Sequence, residues 1–173
     1  MTPEPNPADT TDQPAPLDFF SASAALAATE ELDVAAMELL FKLENSGEDF
    51  YNALADRIGD ERAADLLRRN GREEVGHARR IQRAIAIKVG GDYEPSADVL
   101  ERFVIPLPDT IGIDLLPLII KAELDGDAGY QRWADRETDP EVERLLRLNG
   151  REETIHGERV TEVLGILEAA QAS

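Results

Sequence analysis

An internal repeat constrains this chain more than any other feature, because residues 41–81 align with residues 120–160 without a gap, at an offset of 79 positions. Both copies contain the pentapeptide Asn-Gly-Arg-Glu-Glu and one of the two histidines of the chain. Helical patterning alone would explain shared leucines and arginines, but not this degree of coincidence, and the chain is therefore predicted to contain two copies of one unit. The residues that coincide are Lys42/Lys121, Glu44/Glu123, Gly47/Gly126, Tyr51/Tyr130, Asp60/Asp139, the Ala-Asp-Arg triplets at 55–57 and 134–136, the pentapeptides at 70–74 and 149–153, and His77/His156.

Each copy is predicted to form two helices joined by a short turn. In the second copy, residues 139–141 combine an N-cap aspartate, a proline at the first helical position and an acid in the first turn, and Asp60 with Glu61 is the counterpart in the first copy. The predicted helices cover residues 33–58, 61–89, 114–137 and 140–167. Because the turns within each copy are short, the two helices that they join must lie antiparallel.

A long connection separates the second predicted helix from the third. It is about twenty-four residues long, which is more than a tight loop needs and enough to run from one end of a helical bundle to the other. The expected fold is all-α: a ferritin-like antiparallel four-helix bundle built from two duplicated helical hairpins joined by a long crossover.

The N-terminal segment differs from the rest in composition. Residues 1–20 carry five of the ten prolines and are predicted to be a disordered tail, whereas residues 21–173 are assigned to the bundle. The tail lacks the basic start and apolar core of a secretory signal, so a cytoplasmic location is expected. No window approaches the ~18 consecutive apolar residues of a membrane span, so no membrane association is expected.

Charge and cysteine content exclude several classes of function. The formal net charge is −18, and a surface of that sign repels phosphate backbones, so nucleic-acid binding is not expected. The sequence contains no cysteine, which excludes disulfides, thiolate nucleophiles, iron–sulfur clusters and cysteine-ligated zinc within these residues. Chemistry here must use carboxylates, histidines, hydroxyls or a bound cofactor.

The repeated acids and histidines fall at matching heights in the predicted bundle. The first acid of each hairpin and the acid of its pentapeptide both lie about 14 residues, or ~21 Å, from one end of their helices, so the two face each other. Each histidine follows the pentapeptide acid by three residues and shares its helix face. The six candidate metal ligands are Glu44, Glu74, His77, Glu123, Glu153 and His156.

Such a cluster predicts a dimetal site. Burying four carboxylates is unfavourable by several kcal/mol for each ion, unless cations neutralise them or they become protonated. Two divalent ions match four negative charges. Mixed oxygen and imidazole ligation suits iron and manganese, and six ligands for two metals leave positions open for O2 or peroxide.

At these residues the sequence resembles the ferritin-like superfamily, and within it the erythrin domain of rubrerythrins, over about residues 30–167. The resemblance implies that Glu74 and Glu153 bridge two metals, and that the other four candidate ligands are terminal. It also implies a tyrosine near the metals in each half. The motifs that carry it are Glu44-x-x-Gly-x-x-Phe-Tyr51, Glu74-x-x-His77, Glu123-x-x-Gly-x-x-x-Tyr130 and Glu153-x-x-His156.

The implied function is a di-iron oxidoreductase, a ferroxidase or peroxidase that reacts Fe(II) with O2 or hydrogen peroxide, in oxidative-stress protection or iron handling. A dimanganese catalase, a non-catalytic iron-binding or cargo protein and a metal-free helical interaction module remain alternatives, so enzymatic activity itself stays open. The candidate catalytic residues are Glu44, Glu74, Glu153, Tyr51 and Tyr130. For the tyrosines, an ordinary core position is an equal alternative.

Two departures from rubrerythrins modify that expectation. Rubrerythrins carry a further glutamate at the position of Gly126, so the resemblance does not extend to ligand switching linked to redox state. They also append a cysteine-ligated module for electron delivery, which this cysteine-free chain does not contain, so an external electron donor is expected. Members of the family often dimerise, and a homodimer is expected.

The pentapeptide raises two further expectations. Glycine inside a helix is unfavourable by about 1 kcal/mol relative to alanine, so Gly71 and Gly150 are predicted to leave space for oxygen or peroxide, or for a close helix crossing. Arg72 and Arg151 are predicted to pair with nearby carboxylates. Their neighbours, the first glutamates of the pentapeptides, are predicted to have a polar or interhelical role.

Overall fold

The computed structural model describes residues 16–172, which form six helices and no strand within that range. The four long helices confirm the four predicted from the sequence, and the second agrees at both ends. The third begins two residues later than predicted and the fourth continues to residue 171. The helices are α1 (Phe19–Ala27), α2 (Val34–Ala55), α3 (Glu61–Val89), α4 (Ala97–Leu100), α5 (Leu116–Arg136) and α6 (Pro140–Gln171).

The predicted caps start the helices. The side chain of Asp60 accepts a hydrogen bond from the backbone N–H of Ala63 at 3.0 Å, and that of Asp139 accepts from Val142 at 3.1 Å. Helix α3 ends at Gly90, whose φ of 73° lies in the left-handed region that favours glycine. These signals define two hairpins, α2–α3 and α5–α6.

The hairpins pack against each other through α3 and α6. On the opposite side of the bundle, no Cα atom of α2 lies within 8 Å of one in α5, and α1 contacts both of these helices. The architecture is therefore a ferritin-like helical bundle, with a gap between α2 and α5 over which a short additional helix lies.

Two apolar clusters fill the two ends of the bundle. One contains the start of α2, the end of α3 and the α5–α6 turn, with Met37, Ile81 and Leu146 at its centre. The other contains the α2–α3 turn and the start of α5, with Leu54 and Leu116. The two hairpin turns thus lie at opposite ends, and the connection between α3 and α5 crosses the bundle from end to end as predicted.

The N-terminal segment adds an element that the sequence did not predict. Residues 1–15, most of the predicted tail, lie outside the described residues, but the structure places helix α1 across position 20. Asp18 and Ser21 form a capping box, and the ring of Phe19 stacks on that of Phe50 with centroids 4.8 Å apart. Capping and aromatic burial together explain why the helix begins at Phe19. No helix in the described part of the chain is long and apolar enough to cross a membrane.

Candidate metal centre

The six predicted ligands come together between the two apolar clusters. Both histidines are fully buried, and the side chains of Glu44, Glu74 and Glu153 are 5–7% exposed. Two overlapping groups offer ligand atoms that all lie within 4.8 Å of one another, and both groups contain Glu74 and Glu153. One group adds Glu44 and His77, and the other adds Glu123 and His156. The arrangement thus provides two adjacent cation positions with two shared carboxylates.

The histidines present their Nδ1 atoms to the shared carboxylates. Nδ1 of His77 lies 3.3 Å from Glu74 Oε2 and 3.1 Å from Glu153 Oε1, and Nδ1 of His156 lies 3.2 Å and 3.3 Å from the other oxygens of the same two residues. The two imidazole rings are stacked with centroids 5.1 Å apart. Both Nδ1 atoms are buried and make no hydrogen bond. Buried nitrogens without a partner, aimed at carboxylates, fit the donor set of a metal pair.

Carboxylates from the opposite hairpin orient both imidazoles through Nε2. His77 Nε2 lies 3.0 Å from Glu152 Oε2, and His156 Nε2 lies 3.2 Å from Glu73 Oε2. A carboxylate that accepts the Nε2 proton keeps a neutral imidazole in the tautomer whose Nδ1 lone pair is free for a metal. Glu73 and Glu152 therefore have the interhelical role that was one of the two predicted for them.

Arginines complete the same network, but not the ones that the sequence indicated. Arg80 donates to Glu152, and Arg159 donates to Glu73 through Nη1 at 2.6 Å. The prediction for Arg72 and Arg151 is wrong within the described residues, because both lie on the exposed side of their helices and form no ion pair there. Arg80 and Arg159 follow the histidines by three residues and share their face.

Two buried asparagines fix the crossing of α3 and α6. Asn70 donates to the backbone carbonyl of His156 at 3.2 Å, and Asn149 donates to that of His77 at 3.4 Å. Each amide oxygen accepts from the arginine of the network above. Sequence reasoning missed this role, although the repeated asparagine was the signal for it.

The tyrosines bind the terminal acids across the hairpins. The hydroxyl of Tyr51 in α2 donates to Glu123 in α5, and that of Tyr130 in α5 donates to Glu44 in α2. Burial, together with the neighbouring carboxylates, raises the pKa of both phenols well above the usual value. The phenols therefore stay protonated and act as donors. Both lie beside the cluster, as the resemblance implied.

The negative charge of the buried carboxylates favours the binding of protons or cations in the cluster. Burial alone would lower the pKa of His156, but the carboxylates of Glu153 and Glu74 outweigh it and raise the pKa to about 10. The same opposition raises the pKa of His77 well above its usual value. Burial and the charge of Glu153 raise the pKa of Glu123. Protons on the two histidines therefore offset part of the negative charge when metal is absent, and metal binding at Nδ1 must displace them.

Glycines allow the helices to approach at the centre. A Cβ atom on Gly71 would lie 3.1 Å from the Cβ of Tyr51, and one on Gly150 would lie 2.9 Å from the Cβ of Tyr130. Of the two explanations for these glycines, close helix crossing is therefore the one that the structure supports. Gly47 serves the site directly, because a Cβ there would lie 2.8 Å from Cγ of Glu74. A Cβ atom on Gly126, the repeat-related position, would lie 3.6 Å from Cγ of Glu153.

The gap between α2 and α5 contains a cavity of about 320 Å³ that reaches the cluster. Its floor is formed by all four candidate carboxylate ligands, and its walls come from α1, α2 and α5. No motif in the sequence indicates this cavity, because part of its wall depends on how α1 docks.

Comparison with known proteins supports the same interpretation. The family model described as Rubrerythrin matches residues 36–164, which includes every candidate ligand. No curated protein and no solved structure matches the chain. A match over most of the sequence shows that this chain belongs to the rubrerythrin family.

Proposed function

We propose that this protein is a di-iron oxidoreductase that reacts Fe(II) with O2 or a peroxide, as a peroxidase or ferroxidase. The observation that supports the proposal is the pair of overlapping ligand groups, each with one unpartnered histidine Nδ1 facing two shared carboxylates. When bound, two Fe(II) ions would supply two electrons to the oxidant. Family membership makes iron the first candidate.

Some residues of the site would bind metal, and others orient the residues that do. Glu74 and Glu153 would hold both ions, and the terminal acids and histidines would each hold one. Glu73 and Glu152 keep the histidines in the tautomer that binds metal, and the arginines that donate to these two glutamates hold them in place. The apolar clusters shield the site from water at both ends of the bundle, which strengthens the interactions between its charges on those sides.

The phenols would control a proton at the terminal acids. Each phenol O–H donates to one carboxylate oxygen, which leaves the other oxygen of that carboxylate for a metal. The raised pKa of each phenol means that this proton is retained across the neutral pH range. After oxidation, an external electron donor would return the irons to Fe(II), since no cysteine-ligated centre is possible within these residues.

The proposal is tested by single-turnover oxidation. The full chain is loaded anaerobically with Fe(II), mixed with hydrogen peroxide or O2, and followed by absorbance for an oxo-bridged ferric product. Glu153→Ala, which removes a shared carboxylate, should abolish the chromophore, and Glu158→Ala, an exposed glutamate on the same helix, should leave it unchanged. An unaltered reaction in Glu153→Ala would contradict the proposal.

Metal analysis of protein from its native host separates the alternatives. Manganese together with catalase activity would support a dimanganese catalase. Iron without turnover in the presence of reductant would support a non-catalytic iron-binding or cargo role. A melting temperature unchanged by chelator and by added metal would support a metal-free helical module.

A further inference from the structure

We propose that the cavity between α2 and α5 binds the uncharged apolar part of an organic hydroperoxide, and that such hydroperoxides, rather than hydrogen peroxide alone, are substrates of this chain. This inference rests on the proposed function and adds a substrate class to it.

The cavity is larger than hydrogen peroxide requires. Helices α2 and α5 have no Cα atoms within 8 Å of each other, and the space left beside α1 measures about 320 Å³. A water molecule in the liquid occupies about 30 Å³, and hydrogen peroxide is only slightly larger. Two metal ions at the carboxylate floor would occupy part of this volume, but the remainder is still several-fold larger than hydrogen peroxide requires. The whole cavity lies at the lower end of the range of about 300–1,000 Å³ that is usual for small organic ligands.

The walls of the cavity are apolar. Above the carboxylate floor the walls are mostly aromatic rings and aliphatic chains, including Phe19, Phe50, Leu43 and Ile119. Burial of apolar surface contributes about 25 cal/mol per Å², which hydrogen peroxide cannot use because it has no apolar surface. A ligand with an apolar body and a peroxide end would satisfy both walls and floor.

The charge around the cavity favours neutral hydroperoxides over anionic ones. None of the described residues that line it is a lysine or arginine, and four of them are the glutamates of the floor. The whole chain carries a net charge of −18. A hydroperoxide that bears its own carboxylate would have no cationic partner here and would be repelled. The expected ligand is therefore neutral, with an alkyl or aryl substituent.

The mouth of the cavity continues its apolar lining. Phe20 on α1 is 42% exposed and Leu118 on α5 is 64% exposed, and both line the opening. The two side chains come from different helices and line the same cavity, so they form one apolar rim and not isolated surface residues. An apolar substituent too long for the interior would contact this rim.

The reaction balances without a further reactant at the site. The O–O bond of the hydroperoxide breaks, and one alcohol and one water are formed. The two electrons come from two Fe(II) ions, which become Fe(III), and two protons taken up from the bulk solvent complete the alcohol and the water. The external donor then returns both irons to Fe(II).

Binding is tested without turnover, with the product alcohol of cumene hydroperoxide, 2-phenyl-2-propanol, as the probe. Isothermal titration calorimetry on the full chain, metal-free and loaded with redox-inert Zn(II), should detect binding of one alcohol per chain. Ala122 lines the cavity, and Ala122→Phe should weaken binding at least tenfold. Ala128→Phe is the matched control, because Ala128 is also an exposed alanine of α5 but does not line this cavity, and it should bind like the wild type.

Turnover is the second readout. In the iron-loaded chain, Ala122→Phe should lower the ratio of kcat/KM for cumene hydroperoxide to kcat/KM for hydrogen peroxide at least tenfold, and Ala128→Phe should leave that ratio unchanged. Turnover of hydrogen peroxide without alcohol binding would overturn the inference and leave the proposed function intact. Alcohol binding without turnover of any peroxide would overturn the inference, and it would overturn the proposed function as well if the iron-loaded chain also failed to react with O2. Light scattering that shows a dimer disrupted by Ala122→Phe would overturn the inference in favour of a second copy at the mouth.

Discussion

Two repeat-related glycines allow a matched test of how tightly the bundle is built around its ligands. A Cβ atom on Gly47 would approach three carbons of the Glu74 side chain, Cγ at 2.8 Å, Cδ at 3.0 Å and Cβ at 3.1 Å. The conflict involves the stem of the side chain, so a rotation of its end does not relieve it. A Cβ atom on Gly126 would lie 3.6 Å from Cγ of Glu153, which is an ordinary contact.

The expected effects of alanine have opposite signs at these two positions. Alanine gains about 1 kcal/mol over glycine inside a helix, and Gly126→Ala should therefore raise the free energy of unfolding by about 1 kcal/mol. Gly47→Ala gains the same amount, but overpacking is unfavourable by about 1–3 kcal/mol, so a net decrease of about 1 kcal/mol is expected. The difference of about 2 kcal/mol corresponds to about 4–8 °C in melting temperature for a chain of this length.

Circular dichroism melts of the metal-free variants measure the stability difference, and Fe(II) titration measures the effect on the site. Gly47→Ala should bind fewer than two ions with wild-type affinity, because Glu74 is displaced, whereas Gly126→Ala should bind two. Equal stability changes in the two variants, or full Fe(II) binding by Gly47→Ala, would refute the reasoning.

Three other predictions concern the network around the site. Glu152→Ala removes the partner of His77 Nε2, so metal affinity measured by competition with a chelator should fall about 10–100-fold. In the metal-free protein the pKa of His156 is raised to about 10 from 6.5, so its stabilising contribution is complete below about pH 6.5 and is lost as the pH rises towards 10. The melting temperature of the metal-free chain should fall over that range, and a rise would contradict the assignment. Tyr130→Phe leaves Glu44 without its donor, and should alter the visible spectrum and pH profile of the iron-loaded protein while the fold, measured by circular dichroism, persists.

The six-residue cluster could be predicted because it depends on local rules and one repeat. The three-residue spacing of Glu74 and His77 places them on one helix face, and the short turns bring the acids of neighbouring helices to one height. The same spacing rule explains which arginines reach the network. Adjacent residues of a helix point about 100° apart, so Arg72 does not share the face of Glu73, whereas Arg80 shares the face of His77.

The opening above the site could not be predicted, because it depends on tertiary docking. Helix α1 has only nine residues, and no repeat or periodic apolar face marks its destination. Its place is decided by the stacking of Phe19 on Phe50 and by a backbone hydrogen bond from Phe19 to Val104 in the crossover at 3.0 Å. These contacts join segments far apart in the sequence, and they place Phe19, Phe20 and Ser23 in the lining of the cavity.

Anaerobic titration with Fe(II) tests the central claim, that six side chains hold a pair of ions, most directly. The wild type should bind two ions per chain, and Glu74→Ala fewer than one, because this residue faces Nδ1 of both histidines. Glu158→Ala, on the exposed face of α6, should still bind two. A wild-type chain that binds no iron, or a Glu74→Ala variant that binds two ions as tightly as the wild type, would show that these side chains do not hold a metal pair.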